Sequence, residues 1–143
     1  MNKSLYIVIF LTVLGLFDYL PATDKQPATE TGRDQVLQAQ KFTRSDANTQ
    51  VRGSGVVIRL LSDDRDGSQH QRFIISLASG QTLLVAHNID LAPRINSLSL
   101  GDRVEFFGEY EWNKKGGVIH WTHHDPDGSH IDGWLKHKGK LYQ

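Results

Sequence analysis

The sequence predicts a small all-β domain closed as a barrel, behind a polar segment and an N-terminal hydrophobic stretch. Three observations carry this. β-branched and alternating apolar runs begin at Val51 and recur toward the C-terminus, separated by turn residues. One run, Val104 to Trp112, alternates without a break. The chain has 143 residues, enough for one core and too few for two.

Residues 1–22 hold Lys3 and then thirteen uncharged residues, Leu5 to Phe17. As a helix this run spans roughly 20 Å, short of the ~30 Å hydrocarbon core, so it reads as an export signal rather than a stable span. Leu20, two residues before Ala22, spoils the small-x-small cleavage pattern, so an uncleaved membrane anchor is the alternative. Either way the expected location is the periplasm, free or anchored at the inner membrane, with membrane contact through this segment only. There is no cysteine, hence no disulfide, thiolate site or lipid-acylation site. A periplasmic protein does not require a disulfide. Residues 23–50 are rich in Gln, Thr, Asp and Ala and read as a linker, with a short helix near Asp34 to Lys41 capped by Asp34.

The domain proper is expected over residues 51–143. Val51 to Leu61 is a β-branched first strand whose Gly53 and Gly55 mark a bulge or a tight barrel corner. Ser62 to Ser68 is turn chemistry. Phe73, Ile75 and Leu77 alternate along a second strand, and Thr82 to Ala86 form a third. Asp90 to Ser97 reads as a short helix, with Asp90 as cap and Pro93 in the first turn. In the fourth strand Val104, Phe106, Gly108, Tyr110 and Trp112 take one face, and Arg103, Glu105, Phe107, Glu109 and Glu111 the other. Asn113 to Gly117 turns the chain into a fifth strand, Val118 to His123. Three strands, a helix and a hairpin is the order of a five-stranded OB-type barrel; a small up-and-down sheet is the alternative.

Charge narrows the partners. Lysine plus arginine equals aspartate plus glutamate at 16 each. A general nucleic-acid binder carries a basic surplus, because phosphate neutralisation supplies most of its affinity, and that surplus is missing. All seven histidines lie between His70 and His137.

Asp63, Asp64 and Asp66 before Gly67 suggest a calcium loop, but the EF-hand template would start at Ser62 and place Phe73 at its twelfth position, so a solvated turn is the reading. His70 and Gln71 read as surface residues, and His87 as either a site residue or a cap. The stretch His120 to His137 is denser. Asp125-Pro126-Asp127-Gly128 has the composition of a type I turn. If that turn closes a hairpin, His123 faces His130 with Cβ atoms about 5 Å apart, and Asp132 shares their face opposite Trp121. Two imidazoles and a carboxylate suit Zn²⁺ or another divalent metal, with His87 as a fourth ligand. His120 and His124 would then point away. A hydrogen-bonded polar surface around Trp121 and Trp134 is the simpler reading of the same cluster.

The strings His87 to Arg94 (HNIDLAPR), Gly108 to Asn113 (GEYEWN) and His120 to Pro126 (HWTHHDP), followed by Gly133-Trp134, resemble a family of small gammaproteobacterial proteins grouped as a domain of unknown function. The resemblance spans about residues 51–143. It implies a bacterial envelope protein and carries no activity with it.

The leading functional expectation is a binding module that takes a small or oligomeric ligand on its barrel face, with Trp112, Trp121, Trp134 and Tyr110 as stacking surface. The rival is a metal-dependent, nuclease-like hydrolase, in which His123, His130 and Asp132 hold the ion and His124 or Asp125 serves as base.

Overall fold

The computed structural model describes residues 40–143. The expectations for the hydrophobic segment, for most of the linker and for the helix near Asp34 lie outside the described residues. Among the described residues no helix is long and apolar enough to cross a membrane.

The domain is all-β, with one 3-10 turn at Arg44–Asp46 and seven strands: β1 Thr49–Leu60, β2 His70–Ser76, β3 Thr82–Asn88, β4 Arg103–Glu111, β5 Val118–His120, β6 Trp134–His137 and β7 Lys140–Tyr142. Strands pair in the order β1-β2-β3-β5-β4, and β4 returns to β1, which closes a five-stranded barrel. The β3–β5 pair is parallel and the others are antiparallel. This is the OB-type barrel that the order of elements predicts.

Closure depends on β1, which serves two partners. Thr49 to Val56 pair with β4, and from Val56 onward the strand pairs with β2. The bulge lies between Val57 and Arg59, beyond the glycines. Gly53 instead makes room for a ring. A Cβ there would stand 2.6 Å from Cζ of Phe106, so only glycine lets β1 pass over that side chain.

The alternation in β4 holds. Val104, Phe106, Gly108 and Tyr110 point inward, and Phe73, Ile75, Leu83, Val85, Ile119 and Leu135 complete a core with almost no exposure. Phe42 is part of it, 4% exposed and in contact with Phe106 and Tyr110 at ring distances of 6.1 and 5.4 Å. The side chain of Gln81 fixes this segment by accepting from the Phe42 N–H and donating to its carbonyl. Residues 42–50 therefore belong to the barrel, and the linker reading does not extend to them.

The short helix expected at Asp90 to Ser97 is absent. Asp90 uses its carboxylate on the Gln69 N–H instead of capping a helix. Gln71, read from sequence as a surface residue, is buried and clamps both the N–H and the carbonyl of Ile95. The loop is thus held as an irregular, turn-rich plug that buries its own Ala92, Ile95 and Leu98.

The predicted fifth strand ends early, at His120. Trp121 has φ of 52°, a left-handed conformation uncommon for a large side chain, and it turns the chain away from the ladder. The chain returns at Gly133, and β6 then pairs with Val104 to Phe107 on the β4 edge that β5 uses at Glu109 to Glu111. Residues 121–133 form a closed excursion between two strands on one edge, in the manner of an Ω-loop, not a hairpin. Its ends touch: a Cβ on Gly133 would lie 1.9 Å from the Trp121 carbonyl oxygen.

Candidate functional site

The outward residues of β2, β3 and β5 form one continuous face. Arg72 stands opposite Ala86. The parallel pairing of Leu84 with Val118 and Val85 with Ile119 then brings Ala86 beside His120, which in turn faces Glu109. Alanine is the smallest side chain in that row, so the sheet surface is hollowed between Arg72 and His120. A recess of about 310 Å³ lies there, floored by Leu84, Ala86 and Val118 and bounded by Asp64, His70 and Glu111. A second recess of about 300 Å³ is lined by Asn88, Leu91, Trp121 and His123. The two share His70 and His120, so together they make one trough.

The trough carries no basic surplus, with Asp64 and Glu111 against Arg72 in its lining. Arg72 is offset by Asp64 at 3.6 Å. His120 is held below the ordinary imidazole pKa because burial outweighs the nearby carboxylates of Glu109 and Glu111. Its Nε2 is buried without a hydrogen bond, 3.6 Å from Glu109 and 4.0 Å from Glu111. A buried polar atom left unpaired costs about 1–3 kcal/mol. A larger recess, about 410 Å³, lies beside Phe42, Tyr110 and Trp112. Two of its polar groups are committed to the fold, since Gln81 holds the backbone of Phe42 and Gly116 and the Tyr110 hydroxyl donates to the Gly116 carbonyl, and Lys41 and Lys114 also line it.

The residues expected to bind metal go to separate partners. Gly128 donates to the Asp125 carbonyl, so the predicted turn forms. The Asp125 carboxylate then accepts from the N–H groups of Asp127, Ser129 and His130, which therefore cannot join a hairpin ladder. Those bonds, the Asp127 N–H first, hold the Asp125 pKa below the ordinary carboxylate value. The carbonyl of His123 accepts from Gly133, not from His130. The His123 ring is buried with Nδ1 2.6 Å from the His124 carbonyl. Asp132 binds the Asp125 N–H and His124 Nδ1, which together lower its pKa.

His130 turns to β4, where Nε2 donates to Glu109 at 2.6 Å and Nδ1 donates to the Ile131 carbonyl at 2.8 Å. Both nitrogens face acceptors, an arrangement that favours the doubly protonated ring. Burial works against that charge, but the bonds to Glu109 and Ile131 outweigh it and raise the pKa. His87 is fully buried, with Nε2 donating to the Pro93 carbonyl and Nδ1 accepting from Thr122. Among the described residues, no three His, Asp or Glu side chains are placed to hold a metal ion.

The three tryptophans do not share a platform. Trp112 lies under the Arg44 guanidinium at 4.1 Å, and Trp134 beside Phe107 with Arg52 over its ring at 5.2 Å. Trp121 alone lines the trough. Residues 22–143 match the family model described as Protein of unknown function (DUF3465). The chain belongs to that family. No curated protein and no solved structure matches it.

Sequence reasoning missed His70, Arg72, Glu109 and His120 as neighbours of a site. Part of the signal was present. A hairpin closed at Asn113 to Gly117 pairs Glu111 with Val118 and Glu109 with His120. Counting register from that turn, instead of from Asp125 to Gly128, sets His120 beside an outward glutamate.

Proposed function

We propose that this domain is an exported binding module that takes a neutral, hydroxyl-rich oligomer of the oligosaccharide class across the outer face of β2, β3 and β5. The observation that carries the reading is the trough, two recesses joined at His70 and His120 on one sheet face. In OB barrels the face of the second and third strands is a common seat for oligosaccharides and oligonucleotides. The balanced charge favours the former, since a polyphosphate partner draws its affinity from a basic surplus. An apolar floor with imidazoles and an amide along the walls suits sugar rings, which offer both C–H faces and hydroxyls. The hydrophobic N-terminal stretch supports an exported location, where such chains are abundant.

Filling the floor tests this. Ala86→Phe is expected to weaken binding of chitotetraose at least about tenfold, roughly 1.4 kcal/mol, while the melting temperature stays within a few degrees because residue 86 faces outward. Calorimetric titration of wild type and variant gives the answer. Equal affinities would remove the ligand from this face.

A further inference from the structure

We propose that Trp121 is the residue on which a ring of the ligand stacks, and that His130 and Glu109 lock its indole in place from behind. Both roles rest on the trough reading of the binding face and lie within it.

The backbone of Trp121 is an outlier. A left-handed φ of 52° at a tryptophan costs on the order of 1–3 kcal/mol, and such strain persists only where the surroundings over-determine it. Here they do. Gly133 is pressed against the Trp121 carbonyl with no room for a Cβ. The His130 ring lies flat on the indole, with centroids 4.1 Å apart and planes 8° from parallel. His130 cannot swing away, because Glu109 and the Ile131 carbonyl each take one of its ring protons. Glu109 is itself carried on β4, the strand at the centre of the closure.

The direction of the lock follows from what lines the second recess. Trp121 is part of that wall and His130 is not. His130 therefore backs the indole from outside the recess, while the His123 ring, 5.3 Å from the indole and tilted by 34°, shares the recess wall with it and leaves the rest of that side to a ligand. A cation against one face of an indole is a stable arrangement. Trp121 is thereby preorganised, which lowers the ordering cost of binding. Trp112 and Trp134 stand outside the trough and have no part in this.

The test uses the full chain and chitotetraose as probe, read by calorimetry and by tryptophan emission. Trp121→Leu is expected to lose at least about tenfold in affinity, the low end of what one stacked ring contributes. Trp134→Leu should stay within about twofold. His130→Ala should bind about tenfold more weakly and make Trp121 more accessible to acrylamide quenching, with the quenching change abolished in a His130→Ala, Trp121→Leu double variant. Glu109→Ala, which frees the His130 ring, should reproduce both the affinity loss and the quenching change while a cooperative melt is kept; a Glu109→Ala variant that binds and quenches like wild type overturns the lock. If wild type binds, Ala86→Phe blocks and Trp121→Leu binds like wild type, the stacking role is overturned while the trough reading stands. If the Trp121 variant loses affinity but His130→Ala does not, the lock is overturned. Absence of binding in wild type and every variant overturns the trough reading, and the stacking role with it.

Discussion

Truncating Phe106 to alanine is expected to cost about 3–5 kcal/mol, the usual loss for a buried phenylalanine. The ring is fully buried, rests on Phe42, and fills the space that Gly53 leaves on β1. The β1 backbone cannot move in to fill the hole, since it must keep its place to close the barrel against β4. Domains of this size have total stabilities of about 5–15 kcal/mol, so the variant forfeits a large share. Glu105→Ala, one residue away, should cost no more than about 1 kcal/mol, because Glu105 faces outward and makes one exposed pair with Lys136. Urea melts of the two variants check this. Similar losses at both positions would mean that the facing of β4 is wrong.

The second large effect is a dependence on pH. Burial holds the pKa of His87 at about 4, against an ordinary 6.5, with smaller contributions from His123 and His70 in the same direction and from the Pro93 carbonyl against it. Between those two values the unfolded chain binds a proton at this site and the folded chain does not. Stability therefore falls as pH drops from 7 to 4, by about 3 kcal/mol at 1.36 kcal/mol per pH unit. His120 adds to the fall, because its pKa is also depressed by burial, and His130 opposes it, because its pKa is raised. The informative quantity is thus a difference. His87→Gln can still donate to Pro93 and accept from Thr122 without titrating, and it should flatten the pH profile between 7 and 4. An unchanged slope in that variant would mean that the buried imidazole is not the cause.

Much of the barrel was legible because its strands obey period two. In β4 every inward and outward residue follows the alternation, and β2 and β3 do the same. What was not legible depends on tertiary partners. The stretch Asp90 to Ser97 carries helix signals, but Gln69 and Gln71 take the groups a helix would need. Strands β6 and β7 are too short, at four and three residues, for periodicity to show.

The candidate site was less legible than the fold. The histidine cluster was visible, and the turn at Asp125 to Gly128 forms where its composition puts it. The step from turn to hairpin failed because one carboxylate, Asp125, absorbs the N–H groups that a ladder would use, and because Trp121 leaves the strand early. Once the parity of the strand is broken, the facing of His123 and His130 no longer follows from sequence. The trough itself comes from the smallness of Ala86 between Arg72 and His120, which are far apart along the chain.

The most direct test of the binding face is a map of amide resonances on titration with chitotetraose. The shifts should concentrate in residues 70–74, 84–88 and 118–121, the outer face of β2, β3 and β5 and its Trp121 wall. Shifts confined to the recess beside Phe42 and Trp112, or to the surface around Arg52 and Trp134, would contradict the assignment.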